Sequence, residues 1–199
     1  MNSVVAIVDS GGANIASLTG ALERLGARHT LTTDPDTIRG ASHVILPGVG
    51  AAADAMRRLK PHRLDELIPS LTQPVLGICL GMQLFAERSE EDAAECLGIL
   101  PGAVTKLPGS PSMPVPNTGW CPVTTSRPHP VMDGIAEGSH FYFVHSYALP
   151  VAGYSVAETQ HAIPLTAVAA AGNFVAAQFH PERSSTAGAR FLRNFLALS

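Results

Sequence analysis

The chain has 199 residues, 46% of them hydrophobic and 15% charged, with a formal net charge of −3. That composition excludes a disordered chain and the basic stripe of a nucleic-acid binder, and it suits one well-buried domain over residues 1–199. No apolar run is long enough to span a membrane, the N-terminus lacks the basic region of a signal peptide, and cysteines at 79, 96 and 121 fit a reducing, cytoplasmic setting.

The first half alternates strand and helix patterns. Val4–Val8 is an apolar, β-branched run suited to a strand covered on both faces. Asn14 can cap a helix bearing Ile15, Leu18, Leu22 and Leu25 on one side, and Gly26 stops it. His29–Thr33 and His43–Leu46 read as strands, 51–59 and 64–71 as helices, Val75–Ile78 as a strand, and 81 to about 88 as a helix. Residues 101–130 are rich in proline and predict loops with short antiparallel pieces. Strands follow at 141–144, 154–157, 165–169 and 174–179, then a helix capped by Ser184 or Ser185. The sum predicts an α/β fold: an open, mostly parallel twisted sheet flanked by helices, with additional antiparallel strands in the second half.

The sharpest local feature is Gly77-Ile78-Cys79-Leu80-Gly81, at a strand-to-helix junction. A tight turn there exposes the Cys79 side chain, small neighbours prevent clashes, and free amides at the helix start favour a thiolate and a developing oxyanion. A buried structural cysteine is the competing reading of this pentapeptide alone. A nucleophile needs a base and an orienting group, and Gln178-Phe179-His180-Pro181-Glu182 offers both. In extended chain, His180 and Glu182 project to the same side. From the turn alone, a cysteine hydrolase or peptidase is also open.

Cys96 and Cys121 lack such settings and read as inert. The remaining histidines form no metal-ligand spacing, so neither a metal nor another cofactor is expected; His145 is expected to pack near the site and His140 at the surface. Pro47-Gly48-Val49-Gly50 can turn a backbone N–H toward a ligand. Asp9–Asn14 has neither dinucleotide nor phosphate-loop spacing. The basic stretch Arg57, Arg58, Lys60 and Arg63 and the acidic stretch Glu90, Glu91 and Asp92 read as solvated helix faces.

Together, the stretches Val8–Ile15, Leu46–Gly50, Pro74–Gln83, Phe141–Tyr147 and Gln178–Ser184 resemble the class I (triad) glutamine amidotransferases along nearly the whole chain. The resemblance implies that Cys79 attacks the carboxamide of glutamine, His180 moves the proton and Glu182 orients His180. Backbone N–H groups at Leu80 and Val49 would form the oxyanion hole. Gly50, Gln83, Ser146 and Tyr147 match positions that hold glutamine. Phe143–Tyr147 with Gly119-Trp120 points to the branch serving histidine biosynthesis, whose ammonia passes to a (β/α)8-barrel cyclase subunit in a heterodimer. Asn14, Trp120, Tyr142 and Arg183 match positions near that interface. Turnover is expected to stay low until the Val49 peptide turns to complete the oxyanion hole. Glutaminase subunits making pyridoxal phosphate, anthranilate or aminodeoxychorismate, and a non-catalytic subunit on the same scaffold, are the alternatives. Ser10–Ala13, Asn117-Thr118, Cys121 and Arg183 depart from the usual family pattern, on the expected partner side.

Overall fold

The computed structural model describes residues 4–11 and 15–199, so Asn14 and its expected cap lie outside the described residues. In chain order the elements are β1 (Val4–Val8), α1 (Ile15–Arg24), β2 (Arg28–Thr32), α2 (Pro35–Gly40), β3 (His43–Gly48), α3 (Ala52–Leu59), α4 (Leu64–Ser70), β4 (Val75–Cys79) and α5 (Leu80–Gln83). The second half holds β5 (Arg88–Ser89), β6 (Ala94–Glu95), β7 (Ala103–Lys106), β8 (Asn117–Thr125), β9 (Ser139–His145), β10 (Tyr147–Ala148), β11 (Ser155–His161), β12 (Ile163–Ala171), β13 (Phe174–Ala177) and α6 (Ser185–Leu196).

The main sheet has the order β2-β1-β3-β4-β13-β12-β11-β8-β9. It is parallel from β2 to β13 and antiparallel from β13 to β9. A small second sheet runs β10-β7-β5-β6. Alternate residues of the parallel strands feed two cores. Ala6, Val8, Val44 and Leu46 pack with Ile38, Met56, Leu59 and Leu64 of α2, α3 and α4. Val5, Ile7, Ile45 and Leu76 pack with Leu18 and Leu22 of α1 and Phe191 and Phe195 of α6. Burial on both faces explains why these strands read as continuous apolar runs. The chain moves outward from β1 to β2 but in the opposite direction from β1 through β3 to β4. Ligands of open α/β sheets bind at such a reversal, beyond the carboxyl ends of the strands.

Two expectations need correction, and one element is new. Residues 101–130 contain the nine-residue β8, which pairs with β9 over Asn117–Val123 but with β11 only at Thr124 and Thr125. Pro122 is tolerated because this stretch makes no ladder pairing with β11, whose Thr159 hydroxyl donates to the Pro122 carbonyl at 2.9 Å instead. The helix expected to reach about 88 ends at Gln83, because the amides of Leu97–Leu100 bond the carbonyls of Leu84, Phe85 and Ala86. The short α2 was not anticipated, although Asp34 accepts a hydrogen bond from Thr37 N–H and Pro35 opens the first turn.

The turn from β4 into α5 has no spare volume. A β-carbon on Gly81 would lie 1.8 Å from the Leu46 carbonyl oxygen, and one on Gly77 would lie 2.7 Å from the Gly81 oxygen. Gly81→Ala is therefore expected to lower stability by about 3 kcal/mol, measured by urea unfolding followed by circular dichroism; an unchanged midpoint would contradict this packing.

Candidate active site

Cys79 sits at the carboxyl end of β4 with φ 54° and ψ −109°, a conformation that L-residues rarely adopt. Register places it beside Gly48 of β3 on one side, and pairs Ile78 with Ala177 of β13 on the other. Its side chain therefore emerges between the Pro47–Gly50 turn and the segment that follows β13. The thiol is largely buried, 3.8 Å from the Val144 carbonyl and 3.7 Å from Gln178 Nε2. Because α5 has only one turn, the amides of its own first residues, and not a long helix dipole, are what it can offer an anion.

His180 Nδ1–H donates to Glu182 Oε1 at 2.8 Å, with both side chains at least nine-tenths buried. The pair meets differently from the extended arrangement expected: residues 181–183 form a 3-10 turn that folds Glu182 back onto the imidazole. Ser184 locks this turn. Its hydroxyl donates to His180 O at 2.7 Å and accepts from Tyr142 N–H at 2.9 Å, while His180 N–H donates to Tyr142 O at 2.9 Å. Phe179, fully buried, stacks on Phe141 and meets Phe143 and Phe191 edge-on, anchoring the segment from behind. Burial alone would lower the affinity of His180 for a proton. Interactions with Cys79 and then Glu182 outweigh it and push the imidazole up to about 10. Its Nε2 is buried and makes no hydrogen bond to a described residue.

Cys79 and His180 line one cavity of about 310 Å³, together with Val49, Gly50, Leu80, Gln83, Ser146 and Tyr147. Every residue expected at the oxyanion hole or around glutamine thus lies on its wall. Gln83 Nε2 donates to Tyr147 O at 2.9 Å and to Gln178 Oε1 at 3.2 Å. The cavity also holds Glu91, Pro116, Val144 and His145. Glu91 corrects the reading of a solvated acidic face: its Oε2 accepts from Ala52 N–H at 3.0 Å, at an α3 start whose Ala51 has no capping side chain. Glu90 is exposed, as expected, and accepts from Lys106 N–H. No local pattern announces either role. Arg57, Arg58, Lys60 and Arg63 are exposed, as is His140.

His145 is buried beside the site. Its Nδ1–H donates to Tyr147 O at 2.9 Å and its Nε2 accepts from Asn117 Nδ2 at 3.1 Å, which fixes a neutral tautomer. Burial pushes it down to about 4. Burial also raises Cys121, and Cys96 to about 11, so neither thiol is activated. Trp120 and Tyr142 pair across β8 and β9, edge to face at 6.0 Å, with the Arg183 guanidinium 4.7 Å from the Tyr142 ring centre. Trp120 is 51% exposed. Among the described residues, no group of three His, Cys, Asp or Glu is placed to hold a metal ion, and no helix is long and apolar enough to cross a membrane.

The glutamine amidotransferase class-I family profile matches residues 6–198. The chain is similar to the imidazole glycerol phosphate synthase subunit HisH of Vibrio cholerae, with 44% identity over all of both chains. It is also similar to the subunit of that name from Xylella fastidiosa, at 48% identity over 98% of this chain and 97% of the other. Among solved structures, a glutamine amidotransferase aligns over 98% of this chain and 97% of its own with a TM-score of 0.75 at 19% identity, which shows the shared fold.

The depressed His145 has a pH signature. Its unfolded state takes up a proton near the ordinary value of 6.5, and its folded state only near 4, so its contribution is complete above 6.5 and is lost as pH falls through that window. The loss amounts to up to about 3 kcal/mol. His145→Gln should flatten the fall in urea stability between pH 7 and pH 4; an unchanged slope would show that the imidazole is not held neutral.

Proposed function

Because the chain belongs to the glutamine amidotransferase class-I family, we propose that it hydrolyses glutamine to glutamate and ammonia as the glutaminase subunit of imidazole glycerol phosphate synthase, in histidine biosynthesis. The observation that supports this most is the convergence of Cys79, His180 and Gln83 on one cavity, with Glu182 bonded behind His180. The thiolate of Cys79 attacks the side-chain carboxamide carbon, and the thiol's proton is held by His180. Backbone N–H groups at Leu80 and Val49 receive the oxyanion. His180 gives its proton to the departing nitrogen, and ammonia leaves a thioester. His180 then takes a proton from water as the hydroxide attacks; glutamate departs, and Cys79 is restored. Glu182 keeps the imidazole oriented through both halves. Gly50, Gln83, Ser146 and Tyr147 hold the substrate, and the Glu91 carboxylate on the same wall suits its ammonium group.

The partner is a (β/α)8-barrel cyclase subunit in a heterodimer, which uses the ammonia to form imidazole glycerol phosphate and aminoimidazole carboxamide ribotide. Trp120, Tyr142 and Arg183 form the docking surface. The exposure of Trp120, Val144 and Val49 near the site supports this, because apolar side chains there gain from being covered. The proposed setting is the cytoplasm, where the free thiols stay reduced.

In the assembled enzyme, Cys79→Ala should lower glutamine-dependent turnover by roughly 10³-fold or more while cyclisation fed by added ammonium continues. Surviving glutamine use would end the assignment of the nucleophile. Trp120→Ala should weaken assembly by about tenfold or more, read by titration calorimetry, without changing the melting temperature of the free chain; unchanged affinity would move the docking surface elsewhere.

A further inference from the structure

Gln178 is the residue after β13 and is fully buried. The pairing of Ala177 with Ile78 brings it beside Cys79, and its own N–H is fixed to Ala167 O at 2.9 Å. A buried carboxamide must place its donors and its acceptor correctly, since an unmatched polar group costs more than a hydrogen bond contributes. Here the carboxamide stands between two groups the proposed reaction uses, Cys79 Sγ at 3.7 Å and Gln83 Nε2 at 3.2 Å.

The polarity of this chain of groups is set from outside it. Tyr147 O is a backbone carbonyl and can only accept; it takes N–H groups from His145 Nδ1 and from Gln83 Nε2, each at 2.9 Å. Gln83 must therefore present its NH₂ group to Tyr147, and the same nitrogen then faces Gln178. A donor facing Gln178 requires Gln178 to answer with its oxygen, which leaves its own NH₂ group toward the sulfur. Turning either amide over would set donor against donor or acceptor against acceptor. The Oε1 of Gln83 makes no hydrogen bond to a described residue, and Gln83 lines the cavity, so an acceptor is left for the substrate.

The geometry points to Gln178 as a positioning residue with two outputs: its N–H stabilises the anionic sulfur of Cys79, and its oxygen fixes the amide orientation in which Gln83 meets the substrate. This rests on the glutaminase reading for the second output only. An N–H donated to sulfur favours the thiolate over the thiol, and the nucleophile and the substrate amide are thereby aligned by one side chain anchored on a backbone carbonyl.

Two near-isosteric variants separate the outputs. Gln178→Met removes both contacts; Gln178→Glu keeps an acceptor for Gln83 but sets a carboxylate against the sulfur. In the full chain, iodoacetamide labelling of Cys79, read by peptide mass mapping, should slow about tenfold at neutral pH in both variants, with the rate profile displaced to higher pH. In the assembled enzyme the KM for glutamine should rise several-fold in Gln178→Met and stay near wild type in Gln178→Glu. In ¹⁵N-labelled wild-type chain, which needs no variant to fold, the Gln178 side-chain amide resonance should shift with the midpoint of the labelling profile. A resonance that ignores that midpoint, or a labelling profile unmoved in a folded Gln178→Met chain, would overturn the contact to sulfur. Equal KM changes in both variants would overturn the control of Gln83. Labelling needs no glutamine, so loss of the glutaminase reading through Cys79→Ala would leave the sulfur contact standing on its own result.

Discussion

Gly81 packs so closely on the Leu46 carbonyl that the crossing from β4 into α5 has one available path. That path forces Cys79 to positive φ, a cost of about 1–3 kcal/mol for a residue with a side chain. The strain persists because β4 lies between β3 and β13 and is buried along its whole length. A stiff, fully paired strand cannot relax by sliding, so the deformation stays at its end and the sulfur is held where the sheet puts it.

The two halves of the sheet divide the labour. The parallel half delivers Cys79, the Pro47–Gly50 turn and the residues after β13 to one edge. The antiparallel half supplies the opposite wall, since β9 ends at His145 and Ser146 and Tyr147 follow it. Ser184, through Tyr142, and Phe179, stacked on Phe141, bind the halves together. Few of these contacts touch a reacting atom, yet they fix the angle between the sulfur and the imidazole.

Two buried histidines show how neighbours decide what burial alone does not. Burial disfavours the charged form of both His145 and His180. His145 faces a carbonyl and an amide, whose geometry is satisfied by the neutral ring, and it falls to about 4. His180 faces Glu182 and the Cys79 thiol and rises to about 10. Neighbours hold one ring neutral and favour the charged form of the other.

The sequence by itself determined the two-sided strands, from their unbroken apolar runs, and the bend at Cys79, from the glycines two residues either side of it. It singled out the proposed base and orienter through His180-Pro181-Glu182, and the family motifs pointed to Gly50, Gln83, Ser146 and Tyr147, all four of which line the cavity. These signals are local: a few consecutive residues fix a turn or a period. Only the tertiary structure decided that β8 forms among prolines, that α5 stops after one turn, that Glu91 reaches the cavity and that a turn folds Glu182 onto His180. It also decided that Gln178 meets Cys79 across nearly a hundred residues, since that contact comes from the register of β13 on β4. Strand order and register are settled by which apolar faces fill the two cores together, and no short stretch of chain contains that information.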